Sequence, residues 1–204
     1  MGYRQVIEEY LEGIFSAKAP LKIPQFRLFF FERPVLLSRA GILWEGQGEV
    51  PETIAIVILK YLIYGGKRGG VYHPDWVGFR DIKDSSPFQG AFRNNVELRI
   101  ERYFAQNTHG LMKACEGLKG KRLKMEGYDL SYEFLALPQV GLRLLYNDTE
   151  DIFPPQAKLL FSKDIERFLD VECIAGLGWI FADLLLSSSG YESTFTGRPN
   201  ATPF

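Results

Sequence analysis

Residues 54–64 constrain the fold more than any other segment, because the run IAIVILKYLIY contains a single charged side chain, Lys60. The run is well short of the roughly 20 apolar residues that a membrane-spanning helix requires. Pro51 and Glu52 precede it and suit the first turn of a helix, while Gly65 and Gly66 suit its end. The segment therefore predicts a central, largely buried helix in a soluble protein.

The N-terminal part of the chain predicts one further helix and a small antiparallel unit. Apolar residues recur at helical spacing from Tyr3 to about Ala17, with glutamates on the other face. The stretches QFRLFFF and PVLLSR, joined by Glu32-Arg33-Pro34, read as a hairpin, and Gly41 to Trp44 reads as a third short strand.

The second half of the chain changes from helical to alternating periodicity. One helical face is predicted by Phe88, Phe92, Val96, Ile100 and Phe104. A shorter helix follows from Thr108 to Leu118, and then KRLKM, LSYEFLAL, VGLRLLY and AKLLFS read as four strands. A last helix begins at a cap at Asp170 or a neighbour, runs to about Ser187 and turns Ile174, Leu177, Phe181 and Leu185 inward.

Strands that cluster, rather than alternate strictly with helices, favour an α+β fold over a doubly wound α/β sheet. We predict a single domain over residues 1–187, with a largely antiparallel or mixed sheet packed against four to five helices. Residues 188–204 are rich in Gly, Pro, Ser and Thr and lack periodicity, which predicts a disordered tail.

Composition narrows the classes of partner. Lys and Arg number 24 and Asp and Glu 25, so the formal charge is 24 − 25 = −1, and the isoelectric point is near 6.2. A nucleic-acid-binding domain usually carries a basic excess, so nucleic acid is not expected as a partner, and neither is a membrane. Two cysteines that stand far apart, Cys115 and Cys173, favour reduced thiols in a cytoplasmic protein.

The glycine-rich stretch GGKRGG, residues 65–70, raises the question of a phosphate-binding loop. Phosphate loops follow a strand and open a helix, whereas this stretch follows a predicted helix and lacks a Ser or Thr after the lysine. A helix stop with a mobile surface loop is the favoured interpretation. The alternative, a weak anion-binding loop, rests on Lys67 and Arg68.

The chain offers little for metal, cofactor or nucleophilic chemistry. His73, His109 and the two cysteines have no metal-ligand spacing, and there are too few cysteines for an iron–sulfur cluster. No GxSxG motif is present, and Cys115 on an apolar helix is more typical of packing than of a thiolate paired with His109. We therefore predict no metal and no cofactor, and leave the catalytic residues unassigned.

A candidate binding site can be built if the WVGFRDI segment packs near the NDTEDIFPP turn and the last helix. Trp76 and Phe79 would supply aromatic surfaces and Arg80 a fork-shaped cation for an acidic ligand. The accompanying carboxylates would be Asp81, Asp151 and Glu172. The alternative is structural: the aromatics fill the core, Arg80 pairs with an acid, Asp151 belongs to a solvated turn and Glu172 favours a helix N-terminus.

The segments VILKYLIYG, DWVGFRDIKDSSPFQGAF and LPQVGLRLLYNDTEDIFPPQAKLLFSKDIERFLDVECIAGLG occur in this order. In their order and spacing the chain, from about Gln25 to Leu186, resembles a bacterial family known as domain of unknown function three-seven-eight-six. Some members of that family carry an added cysteine-rich iron–sulfur segment, which implies a link to corrinoid or one-carbon metabolism in anaerobes. This chain lacks such a segment.

These observations favour a binding or accessory protein over an enzyme. Its partner would be a protein or an acidic small molecule. The sequence is also compatible with a homo-oligomer. The alternative is a small enzyme that uses an Arg and carboxylate pocket on an acidic small molecule.

Overall fold

The computed structural model describes residues 2–16, 25–65, 75–148 and 153–188. The described residues form two antiparallel sheets, of four and five strands, together with five helices when the continuous helix 89–104 is counted once. The predicted α+β fold is confirmed. The sequence pattern did not reveal that the strands divide into two sheets.

The first sheet contains β1 (Gln25–Phe30), β2 (Arg33–Ser38), β3 (Gly41–Trp44) and β4 (Gln47–Glu49) in sequence order. The predicted hairpin and third strand are present, and β4 is an additional strand. Val35 and Leu37 of β2 are completely buried, so one face of this sheet packs on the core. The other face carries exposed side chains.

The second sheet has the order β5-β9-β8-β7-β6. Its strands are β5 (Trp76–Gly78), β6 (Lys121–Leu123), β7 (Leu130–Leu137), β8 (Val140–Asn147) and β9 (Gln156–Ser162). The four predicted strands correspond to β6, β7, β8 and β9. Strand β5 is not among the predicted strands, and it pairs with Leu160 to Ser162 of β9.

The helices are α1 (Tyr3–Phe15), α2 (Glu52–Gly65), α5 (Thr108–Gly117) and α6 (Val171–Ser187), together with the segments of helix 89–104. That helix comprises α3 (Gln89–Phe92), a π-helical segment (Arg93–Glu97) and α4 (Leu98–Phe104). None of the helices in the described ranges is long and apolar enough to cross a membrane.

Helix α6 is the most enclosed of these helices, with twelve of its 17 residues buried. Asp170 is its N-cap, as predicted, and accepts a hydrogen bond of 2.9 Å from the backbone N–H of Cys173. Helix α2 packs against α1 and α6, and Ile58 and Leu59 are fully buried. Its last turn is less enclosed than predicted, because Tyr64 is 49% exposed.

Four residues of the predicted apolar face, Phe92, Val96, Ile100 and Phe104, are buried in helix 89–104. The fifth, Phe88, ends the preceding 3₁₀ turn and is partly buried. The predicted loop at residues 65–70 lies outside the described residues except for Gly65, which ends α2. The predicted tail lies outside them from residue 189 onward, so both remain predictions.

Candidate functional site

A cleft of about 650 Å³ lies between helix 89–104 and one edge of the second sheet. The helix contributes Arg93, Glu97 and Glu101 to its lining, and β9 contributes Ala157 and Leu159. The short 3₁₀ turn Phe79–Asp81 forms another wall, and Pro154 and Pro155 lie at the start of β9.

This cleft exists because β5 is too short to cover the whole edge of β9. Only Leu160 to Ser162 pair with β5, so the N–H groups of Ala157 and Leu159 need other partners. Glu101 Oε1 accepts from Ala157 N at 2.7 Å, and Glu97 Oε1 accepts from Leu159 N at 3.2 Å. Two helix carboxylates thus cap the part of the strand edge that β5 leaves open.

Arg93 connects these two carboxylates. Its Nη1 and Nη2 atoms donate to the two oxygens of Glu101 at 2.8 and 3.0 Å, and Nη1 lies 3.5 Å from Glu97. Arg93, Glu97 and Glu101 follow one another at intervals of four residues along the helix. The helix contains a π-helical segment here, a distortion that often occurs at functional sites. Glu101 is 5% exposed, so the bidentate pair forms the inner end of the cleft.

Glu97 is electrostatically different from Glu101. Burial raises the pKa of Glu97 above its ordinary value of 4.5, and the nearby charge of Glu101 adds to this rise. The Leu159 N–H and the positive charges of Arg93 and Arg80 partly offset the effect on the pKa. Glu97 is therefore a carboxylate that can hold a proton in the cleft at a higher pH than an exposed glutamate.

Arg80 places a cation at the cleft. Its backbone carbonyl accepts from Ser85 Oγ at 3.4 Å and from Gln89 Nε2 at 3.5 Å, which fixes the turn that carries it. Its side chain is exposed and forms no ion pair within 4.0 Å with any residue in the described ranges. Asp81, next to it, uses Oδ2 to accept from Gly78 N at 3.0 Å.

The charges that line the cleft balance, with Arg80, Arg93 and Lys158 against Asp81, Glu97 and Glu101, or 3 − 3 = 0. Three of these six charged side chains already bind protein groups strongly: Arg93 and Glu101 pair with each other, and Asp81 caps its own turn. Of the three remaining charged side chains, Arg80 and Lys158 are positive and Glu97 is negative. The arrangement suits a ligand with a negative charge.

The structure brings together only part of the predicted site. Phe79, Arg80 and Asp81 line the cleft, but Glu172 is exposed in the first turn of α6 and is not among the described lining residues. Asp151 lies outside the described residues, as do Lys67 and Arg68 of the predicted anion loop.

The two predicted aromatic residues have different roles. Phe79 is 4% exposed and stacks on Phe92, with ring centroids 4.1 Å apart and planes 6° apart, as the structural alternative expected. Trp76 lies on the face of the second sheet away from Phe161, where the Arg143 guanidinium carbon is 4.3 Å from its ring centroid. Trp76 therefore neither fills the core beside Phe79 nor lines the cleft.

Sequence reasoning missed Arg93, Glu97 and Glu101. Their spacing of four residues was visible, but charges that flank the apolar face of a helix normally indicate a solvated surface. The N–H groups that they satisfy lie 56 and 62 residues away in the chain. No local pattern relates such distant groups.

The described residues, including those of the cleft, contain no group of three or more His, Cys, Asp and Glu side chains that could hold a metal ion. Cys115 and Cys173 are free and buried, and burial raises the pKa of both thiols. Cys115 is completely buried while His109 is exposed on the same helix. The two do not form a thiolate pair, so the packing interpretation of Cys115 is confirmed.

Two glycines of α6 allow a test of how tightly the Phe79–Phe92 wall is packed. A Cβ at Gly178 would lie 2.5 Å from Phe92 Cε2, whereas a Cβ at Gly176 would meet no atom within 4 Å. Both positions are helical, so alanine gains about 1 kcal/mol of helix propensity at each. We expect Gly178→Ala to be about 1–3 kcal/mol less stable than Gly176→Ala in urea denaturation, because Phe92 must move. Equal stability of the two variants would contradict this packing.

Comparison with known proteins identifies a family. The model of the family Domain of unknown function (DUF3786) matches residues 13–184, which span both sheets and the whole cleft. No curated protein and no solved structure matches the chain. Because the match covers far more than half of its length, the chain belongs to the DUF3786 family of domains of unknown function.

Proposed function

We propose that this protein is a cytoplasmic bacterial binding or accessory protein whose cleft holds an acidic small molecule. The observation that carries the proposal is Arg80, an exposed guanidinium at the cleft that has no ion pair with the described residues. A guanidinium presents a planar fork of donors that matches carboxylate and phosphate groups. Arg80 would bind the acidic group of the ligand.

The surroundings of Arg80 support a preformed site. The turn that carries it is stabilised by Ser85 and Gln89, and the adjacent wall is the stacked pair Phe79 and Phe92. At the inner end, the Arg93–Glu101 pair and the capped edge of β9 are already satisfied. A ligand would therefore find a preformed cleft in which, among the described residues, Arg80 and Lys158 form no ion pair, and preformation lowers the entropic cost of binding.

The test is a thermal-shift screen against dicarboxylates, sugar phosphates, nucleotides and corrinoids, followed by calorimetry on any ligand found. Arg80→Ala removes charge-assisted hydrogen bonds of about 1.5–3 kcal/mol, so we expect affinity to fall about 10- to 150-fold. The matched control is Arg102→Ala, an exposed arginine on the same helix as Glu97 that does not line the cleft. Arg102→Ala should bind like the wild type.

Affinity for an anionic ligand should also fall as the pH rises through the raised pKa of Glu97, above 4.5. The newly formed carboxylate would repel the ligand and compete for Arg80. Glu97→Gln keeps an oxygen that can accept from Leu159 N and should flatten this dependence. Equal binding by wild type and Arg80→Ala would exclude the Arg80 site.

The second candidate function is a small enzyme that acts on an acidic molecule in the same cleft. It is favoured by one observation, the raised pKa of Glu97 beside Arg80, because a buried carboxyl group with a raised pKa is a common general acid or base. Glu97→Gln separates the two functions. If Glu97→Gln loses turnover and still binds the ligand, the protein is an enzyme. If the wild type leaves the ligand chemically unchanged over a long incubation, the binding protein is favoured.

The link to corrinoid or one-carbon metabolism is proposed only from the family resemblance. Corrinoids carry acidic and amide side groups, and for this reason they belong in the ligand screen. If a corrinoid stabilises the wild type and not Arg80→Ala, the result would support both the Arg80 binding site and the link to corrinoid metabolism.

A further inference from the structure

The outer face of the first sheet carries an apolar strip that no described element covers. Phe29 on β1 is 45% exposed and Leu43 on β3 is 46% exposed. Pro34 and Leu36 of β2 lie between them and are partly exposed. The side chains of the inner face, such as Val35 and Leu37, are fully buried, so the two faces of the sheet are clearly different.

The register of the strands arranges charges at the two ends of this strip. Arg27 pairs with Leu36, Leu36 with Leu43, and Leu43 with Glu49. Residues directly opposite each other in antiparallel strands point to the same face. One row across the outer face therefore reads, from β1 to β4, cation, leucine, leucine, anion.

We propose that this face is the interface of a homodimer, with a second copy of this chain as its occupant. A two-fold axis that runs along the strands, between β2 and β3, would place the row of one protomer over the reversed row of its partner. Leu36 of one protomer would then face Leu43 of the other. Arg27 of one protomer would face Glu49 of the other at both ends of the row, so the face is self-complementary in charge as a two-fold interface requires.

This arrangement agrees with the usual way in which sheets pack. Face-to-face sheets lie about 10 Å apart with their strands within about 30° of each other, which a two-fold axis along the strands allows. Arg27 now pairs with Glu45 at 2.6 Å, and its guanidinium carbon lies 5.0 Å from the ring centroid of Phe29. Both contacts lie at the surface, where ion pairs and cation–π contacts are weak. The guanidinium can therefore contact Glu49 of a partner protomer at little cost.

The size of the face sets the expected strength. Four strands about 4.8 Å apart, with six, six, four and three residues at about 3.4 Å each, give a face roughly 20 Å wide and about 10 to 20 Å long. A standard interface buries about 800 Å² on each partner, so a face of this size predicts a weak dimer that depends on concentration.

Sedimentation of the full chain over a concentration series tests the proposal. We expect a reversible monomer–dimer equilibrium in the wild type. Leu43→Lys should weaken dimerisation at least tenfold, because it places two like charges near the two-fold axis. The control is Leu135→Lys, which changes a leucine with 47% exposure on the second sheet and should leave the equilibrium unchanged.

A charge exchange tests the orientation. Glu49→Arg alone would place Arg27 against an arginine, and Arg27→Glu alone would place Glu49 against a glutamate, so each variant should be monomeric. Mixed together, the two variants restore both ion pairs and should form a heterodimer. A wild-type chain that remains monomeric over the whole series would overturn the proposal, as would a dimer that Leu43→Lys does not weaken. A dimer that survives both single charge variants would overturn the row-on-row orientation.

Discussion

Ile58→Asp is expected to unfold the protein. Ile58 is 0% exposed in α2, a helix that packs against α1 and α6, so the substituted carboxylate would be buried in an apolar core. Loss of a buried isoleucine side chain alone costs about 2–5 kcal/mol, and an unpaired buried charge costs several kcal/mol more. The sum is comparable to the whole stability of a typical domain, about 5–15 kcal/mol.

The measurement is thermal or urea denaturation followed by circular dichroism, in which Ile58→Asp should show no cooperative transition. Tyr64→Asp is the matched control, because Tyr64 lies on the same helix and is 49% exposed. That control should change the free energy of unfolding by about 1 kcal/mol or less. An unchanged melting temperature for Ile58→Asp would mean that α2 is peripheral.

Periodicity was sufficient to predict the long elements. Helix α6 and helix 89–104 bury the apolar residues that recur at helical spacing, and β7, β8 and β9 follow segments of at least six strand-forming residues. These elements are long enough for a pattern to repeat several times. The helical π segment at Arg93–Glu97 left no separate signal, because the apolar residues on either side of it keep their spacing of four.

Two of the short strands, β4 and β5, were not predicted, although β3 and β6 were. Strands β4 and β5 have three residues each, too few to show an alternation. Strand β5 is held by pairing between Trp76 and Ser162, 162 − 76 = 86 residues apart. Its identity as a strand comes from tertiary pairing, which local sequence does not encode.

In the candidate site, too, some residues could be predicted from local sequence and others depend on tertiary pairing. Arg80 and Asp81 were singled out from a local motif, and they do line the cleft. Glu97 and Glu101 become site residues only because β5 stops at Gly78 and leaves the N–H groups of β9 to the helix. Trp76 was predicted in the site or in the core, because aromatic residues are common in both. Side chains alternate between the two faces of a strand, and in β5 this alternation places Trp76 on the face away from Phe161.

Arg99→Ala is expected to cost about 3–5 kcal/mol at neutral pH, because it leaves the buried carboxylate of Asp183 without its partner. Asp183 is 4% exposed in α6, and its Oδ1 lies 2.5 Å from Arg99 Nη1 on α4. Its oxygens have no aligned hydrogen-bond donor among the described residues, so the contact is an ion pair. Burial raises the pKa of Asp183 above its ordinary value of 3.8, and Arg99 only partly offsets this rise.

The double variant Arg99→Met/Asp183→Leu is the matched control. It removes both charges and keeps two apolar side chains of similar length in the helix interface, so it should recover most of the stability that Arg99→Ala loses. Chemical denaturation of the wild type, the single variant and the double variant measures all three free energies. A double variant as unstable as Arg99→Ala would show that packing around Arg99, and not the unpaired charge, causes the loss.

The pH dependence of the free energy of unfolding also distinguishes the unpaired charge of Asp183 from the packing around Arg99. Its sign follows from the raised pKa of Asp183. Between the ordinary value of 3.8 and the raised value, the folded state holds a proton on Asp183 that the unfolded state has lost. The contribution of Asp183 to stability therefore falls as the pH rises through this window, and Arg99→Ala widens the window upward. The stability difference between the wild type and Arg99→Ala should shrink as the pH is lowered toward 4, because a protonated Asp183 no longer needs Arg99. A difference that stays constant across the acidic range would exclude the buried carboxylate as its cause.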